Sequence, residues 1–384
     1  MSLPPMTVDD KAAQAGGGVH VDGASTRELT GGAGLGSTPM WRIRLKLFRR
    51  SVATMWSLFR ENKMGMFGLG LILSFALMAI VHPILMATVW EPAIYDPVSG
   101  YDAVMTEYTV VEGEPTDPLS EIALERARLR LNPSINAGDV VTIPTQPAPP
   151  SWTGETPHYL GTDAQGRDIL SQLLYSTRAA FFLGAVAAFT TVFIATTIGA
   201  IAAYFGGWID GGLMRFADLI LLMPLLPVLI VLSAVFEMTM VLLGLIIGLL
   251  SGFGGVAIVL KSQALAVTVK SYVDAARVAG GGDWHVIFRH IIPNVLPLSF
   301  LFMMFGVAEA IAIESTLSLF GLLNVPMTWG IMINSAQTNG YLLSGTSFWW
   351  LLFPAGLAIS FLCFGFFLVG RGMDEIINPR LRAR

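Results

Sequence analysis

Six apolar runs long enough to cross a bilayer leave this chain few folds to choose from. They lie near Met64–Trp90, Ala179–Tyr204, Phe216–Phe236, Met238–Leu260, Leu296–Leu323 and Phe348–Val369. Each approaches or exceeds the roughly 20 residues that a hydrocarbon core requires. Charged residues make up only 13% of the 384, against about 25% in soluble domains. The reading is an all-α membrane protein with six transmembrane helices. The third and fourth runs are separated by little more than Glu237, which predicts a tight hairpin. Pro224 and Pro227 should kink the third.

Lys and Arg placement sets the orientation. Trp41, Leu45, Phe48, Val52, Met55 and Phe59 recur every three or four residues, and Arg42, Arg44, Lys46, Arg49, Arg50 and Arg60 fill the gaps. That spacing predicts a cationic amphipathic helix over 41–63, suited to an anionic membrane surface. Packing against a cytosolic partner is the other reading. With six spans, a basic start inside puts both termini in the cytoplasm. The same count puts Arg215, the Ser271–Pro297 segment, Arg371, Arg380, Arg382 and Arg384 inside. Residues 1–40, rich in Gly, Ser, Thr and Ala with no apolar period, read as a disordered cytoplasmic tail, and 371–384 as a second cytoplasmic tail. No signal-peptide core lies near Met1, so the first span is expected to double as a retained targeting signal.

Residues 91–178 then lie outside. The stretch is acidic and proline-rich and reads as a small irregular insert between the first two spans. A short helix is expected over Leu119–Leu131 and a strand over Asp139–Ile143. Gly161 and Gly166 supply turns near its end, and Thr162 or Asp163 is placed to cap a helix starting near Gln165.

The polar island SYVDAARVAGGGDWHVIFRHIIPNVLP, Ser271 to Pro297, separates the fourth and fifth runs. Tyr272, Ala275, Ala276 and Ala279 share one face of a short helix. Gly280, Gly281 and Gly282 break it. Trp284, Ile287, Phe288 and Ile291 form a second apolar face, and Pro293 and Pro297 punctuate entry into the next span. A helix–glycine–helix facing the cytoplasm on a membrane protein is a docking element.

No lysine follows a glycine, so the chain has no Walker A loop. His20, His82, His158, His285 and His290 show no metal-ligand spacing, and His82 reads as a packed histidine. There is neither a Gly-x-Ser-x-Gly elbow nor an intramembrane aspartate pair. The net charge of -4 gives no basis for a nucleic-acid partner, and the lone Cys363 allows no internal disulfide. Glu309 and Glu314 lie within the fifth run, where acids mark a translocation path by default. Five residues on a helix set them about 140° apart. The alternative is a carboxylate bonded to neighbouring backbone, Ser or Thr. Gly244, Gly248, Gly252, Gly254 and Gly255 read as close helix packing.

The polar island resembles the EAA loop of ABC importer permeases. Asp274-Ala275-Ala276, Gly280 and Ile292-Pro293 match its spacing, with Asp274 in place of the usual Glu and an unusual triple glycine. Arg289 to Asn294 is similar to the oligopeptide/dipeptide branch. Gly161-Thr-Asp-Ala-Gln-Gly-Arg-Asp168 resembles that branch's Gly-Thr-Asp-x-x-Gly-Arg-Asp box, Glu314 falls in a similar Glu-Ser-x-Leu-Ser-x-x-Gly stretch, and Trp56–Leu71 resembles the family's entry region. The resemblance implies a type I ABC importer permease fold and an inward transporter of short peptides. It also implies a hetero-dimeric second permease, two ATPase subunits carrying ATP and Mg, an external solute-binding protein, and no cofactor in this chain. Tyr272, Asp274, Ala275, Ala276, Gly280, Asp283 and Arg289 would dock the ATPase. Thr162, Asp163, Arg167 and Asp168 are the candidates for contact with the solute-binding protein. Nickel chelates and glutathione are cargoes of the same family. A proton-coupled transporter using Glu309 and Glu314 is a reading from another class, and it leaves the docking loop unexplained. A membrane-bound enzyme would need a convergent catalytic set, which the sequence lacks.

Overall fold

The computed structural model describes residues 53–102, 105–109, 140–144, 146–154 and 156–377. The chain divides into Met1–Thr54 and Met55–Arg384, and the elements below belong to the second unit. The 1–40 tail, the interfacial helix up to Val52, the helix expected over Leu119–Leu131 and the terminal arginines from Arg380 lie outside the described residues.

After a helical stretch over 55–61, α1 (Lys63–Thr88) begins where the Asn62 side chain accepts from the Gly65 amide. A short α2 (Pro92–Tyr95) follows. Strands β1 (Met105–Thr109) and β2 (Val140–Pro144) pair antiparallel, with Met105 opposite Pro144 and Thr109 opposite Val140. The expected strand is therefore present, and its partner lies over thirty residues upstream. The long α3 (Ile169–Phe205) starts ten residues before the apolar run that announced it. Next come α4 (Gly207–Leu222), α5 (Leu225–Val235), α6 (Met240–Phe253) and α7 (Gly255–Thr268). The loop helices α8 (Ser271–Val278) and α9 (Asp283–Val286) lead through a π turn, Ile287–Ile291, into α10 (Ile292–Leu319). α11 (Trp329–Thr338) and α12 (Trp349–Ile377) close the chain.

Four helical stretches are long and apolar enough to cross a membrane: α1, α3, α9–α10 and α12. The pairs α4–α5 and α6–α7 make six crossings if each counts as one span. The first pair bends by 81° at Met223-Pro224, where proline ends one helix and starts the next. The second bends by 48° at Gly254, a break the sequence reading had assigned to packing. Pro297 lies inside α10 without interrupting it.

α3 is the axis of the bundle, packed against α6, α7 and α10. Gly244, Gly248 and Gly252 recur every fourth residue on the α6 face that meets it. A Cβ on Gly248 would lie 2.5 Å from Thr190 Cβ and 2.7 Å from the Ala187 carbonyl oxygen. That approach is the small-residue packing expected of helices in lipid. α1 and α12 meet in the same way at Gly65 and Gly372.

The helix ends sort cleanly. His82 near the end of α1 lies against Ser171 at the start of α3, so α1 and α3 run antiparallel. Asn62 at the start of α1 hydrogen-bonds Glu375 near the end of α12. Tyr204 at the end of α3 hydrogen-bonds Asp283 of the loop. The start of α1, the end of α12 and the Ser271–Pro297 loop therefore share one end of the bundle, and Trp90–Tyr95 and 156–168 lie at the other.

Candidate functional site

The loop is a rigid projection rather than a flexible tether. Val273 of α8 is fully buried, as are Val286, Ile287, Ile291 and Val295, and all five join Leu260 and Ala264 of α7 in one core. Ala276 packs against that core, whereas Tyr272, Asp274, Ala275 and Ala279 are exposed. The four residues expected on one face thus divide: Ala276 anchors, and Tyr272, Ala275 and Ala279 face outward. Gly280 ends the helix at φ +82°, a conformation that side chains resist. Arg277 sits over the Tyr204 ring at 4.9 Å, and the Tyr204 hydroxyl donates to Asp283 at 2.8 Å. Both tie the loop to the end of α3.

The second amphipathic face also differs from expectation. The π turn adds a residue to the helical repeat, so Ile287 and Ile291 turn inward while Trp284 and Phe288 stack on each other in the open. Arg289 is exposed beside them. The loop therefore presents Tyr272, Ala275, Ala279, Trp284, Phe288 and Arg289 outward on a fixed base. Such a surface suits a groove on a partner.

The Gly161–Asp168 box lies at the opposite end, inside a knot of hydrogen bonds. Asp168, not Thr162 or Asp163, caps α3, accepting from the Ser171 amide at 2.7 Å. Asp163 is committed to its own turn: one oxygen accepts from the Gln165 and Arg167 amides, the other from the Arg167 guanidinium and the Gln172 amide. Thr162 exchanges two hydrogen bonds with Ala148, and its carbonyl accepts from the Trp350 indole. Thr162, Asp163 and Asp168 are all buried in this chain, so Arg167 is the one of the four candidates with appreciable exposed surface. Arg167 is half-closed over Asp163 at 2.6 Å. The exposed aromatics of this end are elsewhere: Tyr101, Trp152 and Tyr159, with the last two ring against ring at 5.3 Å.

At the centre of the knot is His158, which the sequence reading passed over. It is 1% exposed, with Nδ1 2.8 Å from an Asp168 oxygen and Nε2 3.1 Å from an Asp102 oxygen. Burial alone would lower the imidazole pKa, but the hydrogen bonds and charge of the two carboxylates carry it above its ordinary value. Tyr95, packed on the same ring, has its phenol pushed up to about 12 by burial and by Asp168 and Asp102. A buried imidazole thus joins residue 102 of the insert to the cap of α3.

The two acids of α10 have different surroundings. Glu314 is 3% exposed and accepts from the Ser318 hydroxyl at 2.6 Å and the Ser315 hydroxyl at 3.4 Å; Thr328 donates to Ser318 in turn. This is a satisfied carboxylate bonded to Ser neighbours. Glu309 instead opens on two cavities beside the bends of the broken helices.

Two family models match the chain. Residues 195–383 match the binding-protein-dependent transport system inner membrane component, and residues 41–99 match the N-terminal TM domain of oligopeptide transport permease C. Neither covers residues 100–194, which hold most of the insert, the box and the first two thirds of α3. The chain is 35% identical to the oligopeptide transport system permease protein OppC of Haemophilus influenzae, over 60% of this chain and 73% of that one. It is 32% identical to the dipeptide transport system permease protein DppC of Bacillus subtilis, over 66% and 77%. A glutathione transport system permease protein, GsiD of Pectobacterium atrosepticum, is 30% identical over 59% and 74%. With its helix order, its loop and these matches together, the chain belongs to the family of binding-protein-dependent transport system inner membrane components and is a multi-pass permease subunit.

Proposed function

We propose that this chain is one of two permeases in an ATP-driven importer of short peptides, working with two separate ATPase subunits that hold ATP and Mg and with an external solute-binding protein. Both termini and the Ser271–Pro297 loop face the cytoplasm in this reading. The observation that carries it is the division of α8 into a buried anchor, Val273 with Ala276, and an outward face, Tyr272 with Ala275 and Ala279. A helix anchored in this way moves with the bundle rather than independently of it.

ATP-driven closure of the ATPases would press on α8. The Arg277–Tyr204 contact and the Tyr204–Asp283 hydrogen bond pass that motion to α3, and the continuous α9–π–α10 path passes it to α10. Because α3 runs 37 residues to its cap at Asp168, one rigid element links the loop to the outer subdomain. The names of the OppC and DppC relatives support a peptide cargo; the GsiD relative keeps glutathione, itself a tripeptide, as the second reading.

Ala275→Arg tests the docking role better than a change at Ala276, which is partly buried in the chain's own core. In the reconstituted complex, Ala275→Arg should insert normally and lose ATPase stimulation by loaded binding protein. Full stimulation would remove the docking assignment.

A further inference from the structure

Glu309 makes no hydrogen bond or ion pair among the described residues, unlike Glu314 five positions on. It is exposed on the surface of the described bundle, where it lines two open clefts at once. One, of about 400 Å³, lies between the two bends, with Met223, Leu225, Gly254, Val259 and Phe302 around it. The other, of about 470 Å³, is walled by Pro224, Pro227, Ala312 and Thr316. The single lysine of the broken helices, Lys261, is already paired with Asp210.

Three physical arguments converge on this place. A carboxylate among apolar walls at membrane depth is costly unless a cation meets it. Interrupted helices are tolerated at that depth where they line a cavity, and in transporters they mark the site of the cargo. The cavity volumes fall within the range of small-molecule pockets, roughly 300–1,000 Å³. A free peptide carries a cationic α-amino group, with a pKa of about 7.7–8.0, at one end and a carboxylate at the other. Glu309 attracts the first and repels the second.

We propose that Glu309 receives the α-ammonium of the peptide in transit, while apolar side chains of the cargo rest against Leu225 and Phe302. The peptide then passes with its amino end toward α10 and its carboxylate away from it. This rests on the reading of the chain as a peptide importer's permease. A lysine or arginine of the second permease would satisfy the same carboxylate, and the test separates the two.

The experiment uses the complete importer in proteoliposomes, with a tripeptide that the binding protein accepts in both free and N-acetylated form. Glu309→Gln should lower uptake of the free tripeptide by about tenfold or more, the effect of one lost charged hydrogen bond. The loss for the acetylated form, which has no α-ammonium, should be several-fold smaller, and Glu309→Asp should restore most of the uptake of the free tripeptide. Equal loss for both peptides, or no loss for either, overturns the proposal. So does loss of the second permease on purification, which assigns Glu309 to subunit pairing. If the unaltered importer takes up neither peptide, the peptide reading itself fails, a result independent of Glu309.

Discussion

Removing the His158 side chain should loosen the outer end of the protein by an amount that its surroundings set. The imidazole fills the gap between two carboxylates, one of them, Asp168, 1% exposed and also the cap of α3. His158→Ala leaves Asp168 with the Ser171 amide and Asp102 with the Thr156 hydroxyl, and no ring nitrogens between them. Breaking a buried pair by deleting one partner costs about 3–5 kcal/mol. The Asp102 side chain keeps 20% of its surface, so the lower end, about 3 kcal/mol, is appropriate. Local opening that exposes the Thr162 and Ile169 amides should then be roughly a hundredfold more frequent. Hydrogen exchange on nanodisc-held protein reads this directly at residues 146–170. The pH dependence has a definite sign. Because His158 is raised when folded, its contribution is complete below the ordinary value of 6.5 and is lost as pH rises through the folded value. Corrected for intrinsic exchange, wild-type protection should therefore fall with rising pH, and that of His158→Gln should stay flat. Protection in His158→Ala within about threefold of wild type, a difference of about 0.6 kcal/mol, would refute the argument.

Gly248→Leu should destabilise the bundle by about 1–3 kcal/mol or more through overpacking against Thr190, lowering the melting temperature in detergent, whereas Gly70→Leu, with open space at its Cβ, should not. Asp168→Ala should cost more than the about 0.5–2 kcal/mol of a lost helix cap, because it also strips His158 of its closer partner, and the same exchange experiment reads it. In a Cys363→Ser background, a cysteine at Trp152 should react with an impermeant maleimide from outside the cell and one at Ser271 should not; the reverse pattern would invert the orientation.

The membrane crossings and the bend at Pro224 were legible because bilayer thickness and proline chemistry act locally. The bend at Gly254 was not, since its glycine directly follows the four-residue series Gly244, Gly248 and Gly252, which does pack, and nothing in the sequence sets it apart from that glycine-rich patch. The loop helix and its Gly280 stop were readable from spacing. The π turn was not, because a slipped hydrogen bond depends on how Ile287 and Ile291 meet α7, and it put Trp284 and Phe288 on the outside. The box was found as a motif, but its interior role was hidden. Asp163 is consumed by its own turn, and the partner that Asp168 meets is His158, whose other carboxylate lies 56 residues upstream. Contacts between such distant residues leave no periodic trace.

The central claim is that the outward face of α8 seats on a separate ATPase. Cross-linking tests it most directly: a single cysteine at Ala275, in the Cys363→Ser background and the assembled complex, treated with a short bifunctional maleimide. The account predicts a covalent adduct between this chain and an ATPase subunit, whose yield changes on adding ATP, and none from a cysteine at the buried Val273. An Ala275 cysteine that gives no ATPase adduct in an intact, active complex would contradict it.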